Sequence, residues 1–302
     1  WNMIDDFKIT HFGTSPKFIE TCINTKLSPI KTHSLKSLKC IMSTGSPLIE
    51  KCFEYVYEHI KKDVQLCSIS GGTDIISCFA LGNITLPVIS GEIQCLGLGM
   101  DVAAFNDQGE DLFNQKGELV CKKAFPSMPI YFWNDKDGKK FYDAYFNKYK
   151  DVWHHGDFIE INSHGGVKIF GRSDATLNPG GIRIGTAEIY RVVESFTAIA
   201  DSLVVGKSID NDERVILFVI IKDGFNFSNQ LIKDIKKDIF KKCSPRHVPQ
   251  IILETKDIPY TISGKKVEIA VKKIINGSNV NNRDSLKNPE SLDLYKHLKE
   301  LN

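Results

Sequence analysis

Across Gly171-Arg172-Ser173-Asp174-Ala175-Thr176-Leu177-Asn178-Pro179-Gly180-Gly181-Ile182-Arg183-Ile184-Gly185 the sequence changes character. Two arginines, a proline and several glycines share one short segment. Arginine offers a planar fork suited to phosphate. A glycine pair lets an extended ligand come close, or takes up backbone angles that other residues avoid. A hinge carrying a surface salt bridge would use the same residues. Under either reading the segment is a boundary.

On its amino-terminal side, short apolar stretches alternate with turns. Cys40–Met42 runs into Ser43-Thr44-Gly45-Ser46-Pro47, and Val64–Ile69 into Ser70-Gly71-Gly72-Thr73. A strand followed by a small-residue turn is how α/β folds bring backbone amides to a ligand. Gly91–Leu96 and Gly117–Val120, set between turns, read as antiparallel strands. On the carboxy-terminal side, Thr186 is expected to cap a helix running to about Phe196, with Glu188 in its first turn. Strands are expected at Leu203–Gly206 and Arg214–Lys222. A helix beginning near Ser228 repeats Leu231, Ile235 and Ile239 every four residues. A strand at Gln250–Glu254, the loop Thr261–Lys265 and a helix through Val267, Ala270, Val271 and Ile274 complete a small α+β domain. The Asn- and Ser-rich stretch Gly277–Asn288 reads as a mobile linker.

Composition excludes several classes. A net charge of +2 gives no electrostatic case for nucleic acid or a membrane surface. No apolar run is long enough to cross a bilayer. The eight cysteines are scattered singly, which favours a reducing, cytosolic setting over a disulfide framework or zinc module. An opening at Trp1, in mid-pattern, suggests a fragment.

Besides the Gly171–Gly185 stretch, three places could carry chemistry. In Ser68-Ile69-Ser70-Gly71-Gly72-Thr73-Asp74, small residues admit a ligand to the backbone. The threonine hydroxyl can bond a phosphate, and Asp74 can hold Mg²⁺; a plain Gly-rich turn would look the same. Asp157, after Gly156, can accept from two ribose hydroxyls or serve only its turn. His154 and His155 point to opposite faces of a strand, which argues against their chelating one ion. Lys265, in Ser263-Gly264-Lys265 ahead of a helix, can deliver a point charge to a reacting phosphate or carboxylate, or be a solvated loop lysine. The lysines of 233–242 read as a helix's wet face.

The order of these signals resembles the core motifs of the adenylate-forming family: Thr-Asp turn, Gly-Asp, Gly-Arg-x-Asp with Gly-Gly-x-Arg, then Ser-Gly-Lys. Acyl-CoA synthetases, luciferase and peptide-synthetase adenylation domains share that order. Asn178–Tyr190 is similar to the acetyl- and acetoacetyl-CoA synthetase version. Ser244-Pro245-Arg246-His247-Val248-Pro249, Ser263–Val271 and Asn288–Tyr295 resemble the acetoacetyl-CoA synthetase branch. The resemblance implies an α/β fold. Residues 1–173 would be the end of a large AMP-binding domain (mixed sheets, helices and a small β-subdomain), and 175–302 a mobile lid, hinged at Asp174.

It also implies roles. Gly45, Ser46 and Pro47 would lie beside adenine. Ser68, Ile69, Ser70, Gly71, Gly72 and Thr73 would form the nucleotide turn, with Thr73 on the α-phosphate. Asp157 and Arg172 would hold the ribose, Arg183 a phosphate, and Asp74 Mg²⁺. Gly180 and Gly181 would line the path of the CoA pantetheine, and Lys265 would serve adenylation. The implied substrates are ATP (leaving as AMP), coenzyme A and acetoacetate, with another short acid, or a non-catalytic nucleotide-binding protein, as alternatives. Some residues depart from the pattern. Asp74 stands where the family usually has Glu, and Ser70 where the acetyl branch has tryptophan. Phe240 lies near the position of an arginine, with Lys241 and Lys242 beside it. The Ser/Thr/Gly-rich loop for the β- and γ-phosphates is absent from these residues, and is expected upstream of Trp1.

Overall fold

Short apolar strands ending in small residues build a parallel sheet. The computed structural model describes residues 1–182, 184–209, 212–262, 264–280 and 283–301. The sheet holds β1 (His11–Thr14), β2 (Cys40–Ser43) and β3 (Gln65–Ser68), in the order β1-β2-β3. Thr14 is in register with Ser43, and Ser43 with Ser68, so all three strands end at one edge. Helix α1 (Asn2–Asp6) precedes them, and α2 (Pro16–Asn24) and α3 (Glu50–Tyr55) lie in the connections. Pro16 sets the first turn of α2, and the Ser15 hydroxyl accepts from the Phe18 amide at 3.3 Å. Ile19, Cys22, Leu38, Ile41, Phe53 and Leu66 form the core beneath.

Three antiparallel strands follow: β4 (Ser70–Gly72), β5 (Ser77–Leu81) and β6 (Cys95–Leu96). A five-stranded sheet, in the order β11-β10-β9-β7-β8, comprises β7 (Val102–Phe105), β8 (Asp111–Leu112), β9 (Lys116–Cys121), β10 (Trp153–Ile161) and β11 (Val167–Arg172). The strand expected at Gly91–Leu96 shrinks to β6 and a lone Ile93–Val167 bridge. Gln94 explains the loss of ladder. Its side chain donates to the Leu86 carbonyl at 2.7 Å and accepts from the Asn83 amide at 3.1 Å, doing for the backbone what a neighbouring strand would. Helix α4 (Lys139–Tyr145) lays Phe141 and Tyr145 against the buried Trp153.

The chain forms two compact units, Trp1–Ile169 and Phe170–Asn302, so the expected hinge at Asp174 lies inside the second. That unit holds α5 (Thr186–Val193), β12 (Ile199–Ile209), β13 (Asp212–Ile221), α6 (Asn229–Lys242), β14 (Ile251–Glu254) and α7 (Glu268–Ile275), with strand order β12-β13-β14. Alternation sorts the strand residues onto two faces. Val204, Val215, Leu217 and Val219 pack with Ile189, Ile235 and Ile239 from α5 and α6. Leu203, Val205, Ile216 and Phe218 pack with Val271 from α7 and with Leu292 and Tyr295. A strand buried on both faces must be apolar throughout, which accounts for the run Val215–Ile221.

Two expectations change here. The cap of α5 is Gly185, not Thr186; Thr186 is the first helical residue, and the helix ends at Val193. The Glu188 carboxylate turns back to accept from the Gly185 amide at 3.0 Å, satisfying an end that glycine has no side chain to satisfy. Nor is Gly277–Asn288 simply a linker. Leu286 is buried, the Ile262 amide donates to the Ser285 carbonyl at 3.1 Å, and Asn288 accepts from the Tyr260 amide at 2.9 Å. Polar composition suggested solvation, but the Ser285 carbonyl and the Asn288 side chain satisfy the backbone of the neighbouring loop. Asn281 and Asn282 lie outside the described residues.

Candidate functional site

In the first unit, the carboxyl edge of the parallel sheet gathers two of the expected loops. Gly45, Ser46 and Pro47 follow β2, and Ile69 to Asp74 follow β3. Ser68 is buried at the end of β3, and the Ile69 amide donates to the Ser43 carbonyl at 2.9 Å, tying the second turn to the first. Gly45 has φ +103° and open space where a side chain would stand, a conformation glycine adopts without strain. Gly71 and Gly72 have a different need. A Cβ on Gly71 would collide with the Ser77 carbonyl across the β4–β5 pair, and one on Gly72 with the Asp74 carboxylate. Their smallness serves the packing of the turn itself. Ser43 adds an orphan: its hydroxyl is fully buried and has no hydrogen-bond partner among the described residues.

Thr73 and Asp74 stand exposed at the tip of this turn. Asp74 Oδ2 accepts from the Tyr145 hydroxyl at 2.6 Å, and the Tyr145 ring stacks on Trp153 with centroids 3.6 Å apart and planes at 14°. The stack fixes the phenol, and the phenol fixes the carboxylate. An exposed single carboxylate fits Mg²⁺, which keeps most of its waters and takes one or two protein carboxylates beside substrate phosphates. Among the described residues, no group of three His, Cys, Asp or Glu is placed to hold a metal ion.

On β10 the adjacent histidines part company. His154 Nε2 lies 3.0 Å from buried Glu118, which also accepts from Lys148 at 2.5 Å. His155 packs edge-on against Phe79 and approaches Asp157 Oδ2 at 4.0 Å. Asp157 is half-buried on the same strand.

In the second unit, Arg172 Nε donates to Asp174 Oδ1 at 3.3 Å. The loop beyond is held by carboxylates. Asp212 Oδ1 accepts from the Gly180 amide at 2.7 Å, and Glu213 accepts from the Asn178 amide at 2.9 Å. The bond from Gly180, then the Glu213 amide and the charge of Arg246, keep the Asp212 carboxyl below the ordinary range. Gly180, in the turn Pro179–Gly181, lies under the Arg246 guanidinium, so closely that a Cβ there would collide with it. Arg183 and Ser263 lie outside the described residues.

Lys265 sits on a hairpin closed by a Tyr260–Lys266 bridge. The Thr261 amide donates to the Lys265 carbonyl at 2.8 Å, and the Lys265 amide donates to the Thr261 hydroxyl at 3.0 Å. The Lys265 side chain is exposed and has no hydrogen-bond or ion-pair partner among the described residues. Tyr145 escaped the reading of the sequence, and Arg246 stood in it only within a quoted string; each acts on a residue distant in sequence, and no local pattern announces such a pairing.

No family model matches the chain. It is 52% identical over 303 residues to acetoacetyl-CoA synthetase of Xenopus tropicalis, matching 100% of this chain and 45% of that protein. It is 53% identical over 290 residues to acetoacetyl-coenzyme A synthetase of Rhizobium meliloti, matching 96% of this chain and 45% of that one. A solved acetoacetyl-CoA synthetase from Streptomyces lividans superposes with a TM-score of 0.90 at 39% identity, over 98% of this chain and 46% of that chain. An anthranilate CoA ligase with anthranoyl-AMP, at 20% identity and a TM-score of 0.72, shares the fold. The chain thus spans under half the length of these relatives. Along its whole length the chain is a homologue of the carboxy-terminal part of acetoacetyl-CoA synthetases, enzymes of the adenylate-forming family.

Proposed function

We propose that this chain is the nucleotide-edge and lid portion of an acid–thiol ligase that activates acetoacetate with ATP and passes the acyl group to coenzyme A in the cytosol. The observation that carries the reading is 52% identity, along the whole chain, to an acetoacetyl-CoA synthetase. In the first half-reaction, a carboxylate oxygen of acetoacetate bonds to the α-phosphorus of ATP and pyrophosphate leaves. Lys265, a charge with no partner of its own, lies between carboxylate and phosphate as negative charge concentrates there. Thr73 donates to the α-phosphate, Arg183 contacts phosphate, and Asp157 and Arg172 hold the ribose. Gly45, Ser46 and Pro47 flank adenine. Mg²⁺, held through Asp74, supplies charge neutralisation to the phosphates. In the second half-reaction the CoA sulfur bonds to the acyl carbon and AMP leaves. The unit beyond Asp174 would turn to bring Gly180 and Gly181 to the pantetheine, so that one lid serves two reactions.

ATP–pyrophosphate exchange with acetoacetate, acetate and butyrate tests this in the full-length gene product, beside the 302-residue chain. Exchange with acetoacetate in the full-length protein is expected. Exchange with acetate or butyrate in preference would reassign the acid. No exchange with any acid in the folded full-length protein would support a second reading, a non-catalytic nucleotide-binding protein. Lys265→Ala should lower exchange by roughly 10²–10³-fold while sparing thioester formation from supplied acetoacetyl-adenylate.

A further inference from the structure

Two lysines stand side by side on the hairpin and have opposite surroundings. Lys265 is exposed, whereas the Lys266 ammonium is enclosed. It pairs with Glu194 Oε1, lies 3.0 Å from Asp201 Oδ1, donates to the Ser202 carbonyl at 2.6 Å and sits 4.1 Å above the Tyr190 ring. The acceptors are themselves held. The Ser202 hydroxyl donates to Glu194 at 3.0 Å, and Tyr260, facing Lys266 across the bridge, donates to Asp201 Oδ2 at 2.7 Å. The Tyr190 hydroxyl donates to Glu268 at 3.1 Å and accepts from the Val204 amide at 3.1 Å. Burial works to strip the lysine of its proton. Glu194 and Asp201 outweigh it and hold the group charged, well above the ordinary lysine range.

Such a cage is a poor device for stability alone, because a well-packed apolar side chain of similar volume is often as stable or more so. What it supplies is position. Lys265 is exposed where Lys266 is enclosed, so holding the one ammonium inward fixes the backbone from which the other projects. We propose that Lys266 is a positioning residue: its buried ammonium anchors the Tyr260–Lys266 hairpin so that Lys265 is presented outward in one orientation. The inference rests on the reading of Lys265 as the adenylation lysine. The same cage draws on α5 through Tyr190 and on its C-cap residue Glu194.

The test uses Lys266→Met, which keeps the stem and removes the charge, with Lys266→Arg, Tyr260→Phe and Lys265→Ala in the full-length gene product. For Lys266→Met, the kcat of pyrophosphate exchange should fall about 10- to 100-fold, since misplacement by about 1 Å has that effect. The KM for ATP should hold, and thioester formation from supplied acetoacetyl-adenylate should stay within about twofold. Amide hydrogen exchange at Thr261, Gly264 and Lys265 should quicken, and Lys266→Arg should recover part of the rate. Tyr260→Phe should give a smaller loss of the same kind, and it serves if Lys266→Met fails to fold. Equal loss of both half-reactions would reduce Lys266 to a structural role and overturn the proposal. Undiminished exchange in Lys266→Met, or in Tyr260→Phe if that alone folds, would overturn it too, leaving Lys265 intact provided Lys265→Ala is dead. Undiminished exchange in Lys265→Ala would remove the underlying reading instead.

Discussion

At the scale of the residue, the most consequential contacts join positions far apart in sequence. Asp74 is held by Tyr145, and Tyr145 is held by Trp153. Tyr145→Phe keeps the stack and removes the bond to a carboxylate. It should destabilise the protein by about 1–2 kcal/mol, read from the urea midpoint with the slope unchanged. Thr73, Asp74, Asp157 and Lys265 could be picked out of the sequence because small residues, a carboxylate or a lysine stood in recognisable order. Tyr145 could not, since its segment shows only aromatic spacing. Arg246 was quoted only as part of a string, and its place over Gly180 follows from the fold of the lid.

Elements were legible where periodicity was strong. The four-residue repeat of Leu231, Ile235 and Ile239 gave α6 and its start. The Ser228 hydroxyl accepts from the Leu231 amide at 3.2 Å. Ser228→Ala should therefore lower stability by about 1 kcal/mol, visible as a lower midpoint of thermal unfolding. The elements misread were those settled by side chains that stand in for backbone. Gln94 supplies bonds that a strand over Gly91–Leu96 would have made, and Asn288 does the same for the 258–260 segment. The cap of α5 was misplaced by one residue because Glu188, three positions on, does the capping. Such substitutions leave composition unchanged, so patterns of polarity do not reveal them.

At the scale of the whole molecule, the buried acid Glu92 ties stability to pH. Burial pushes the Glu92 carboxyl up. Bonds from His164 at 2.8 Å and Asn162 at 2.9 Å, with Lys168 at 3.4 Å, overcome it and leave the group below the ordinary range. A group depressed on folding stabilises above its unfolded value, about 4.3 for Glu, and loses that contribution as pH falls through the lower folded value. Melting temperature should drop on acidification in that window, and Glu92→Gln should flatten the drop while lowering the plateau near neutrality. An unchanged acid limb in that variant would assign the transition to other carboxylates. The compact units run over 1–169 and 170–302, and the arginine- and glycine-rich stretch at 171–185 is where the composition of the sequence shifts. The parallel sheet has a consequence for handling in solution. Among the described residues β1 has β2 as its sole ladder partner, so the other side of His11–Thr14 is a template for a further strand. With a net charge of only +2, colloidal repulsion does little to keep such edges apart. Purified as it stands, the 302-residue chain should self-associate as its concentration rises, with a light-scattering mass that grows on concentration and that a charged residue at Phe12→Lys or Gly13→Lys suppresses.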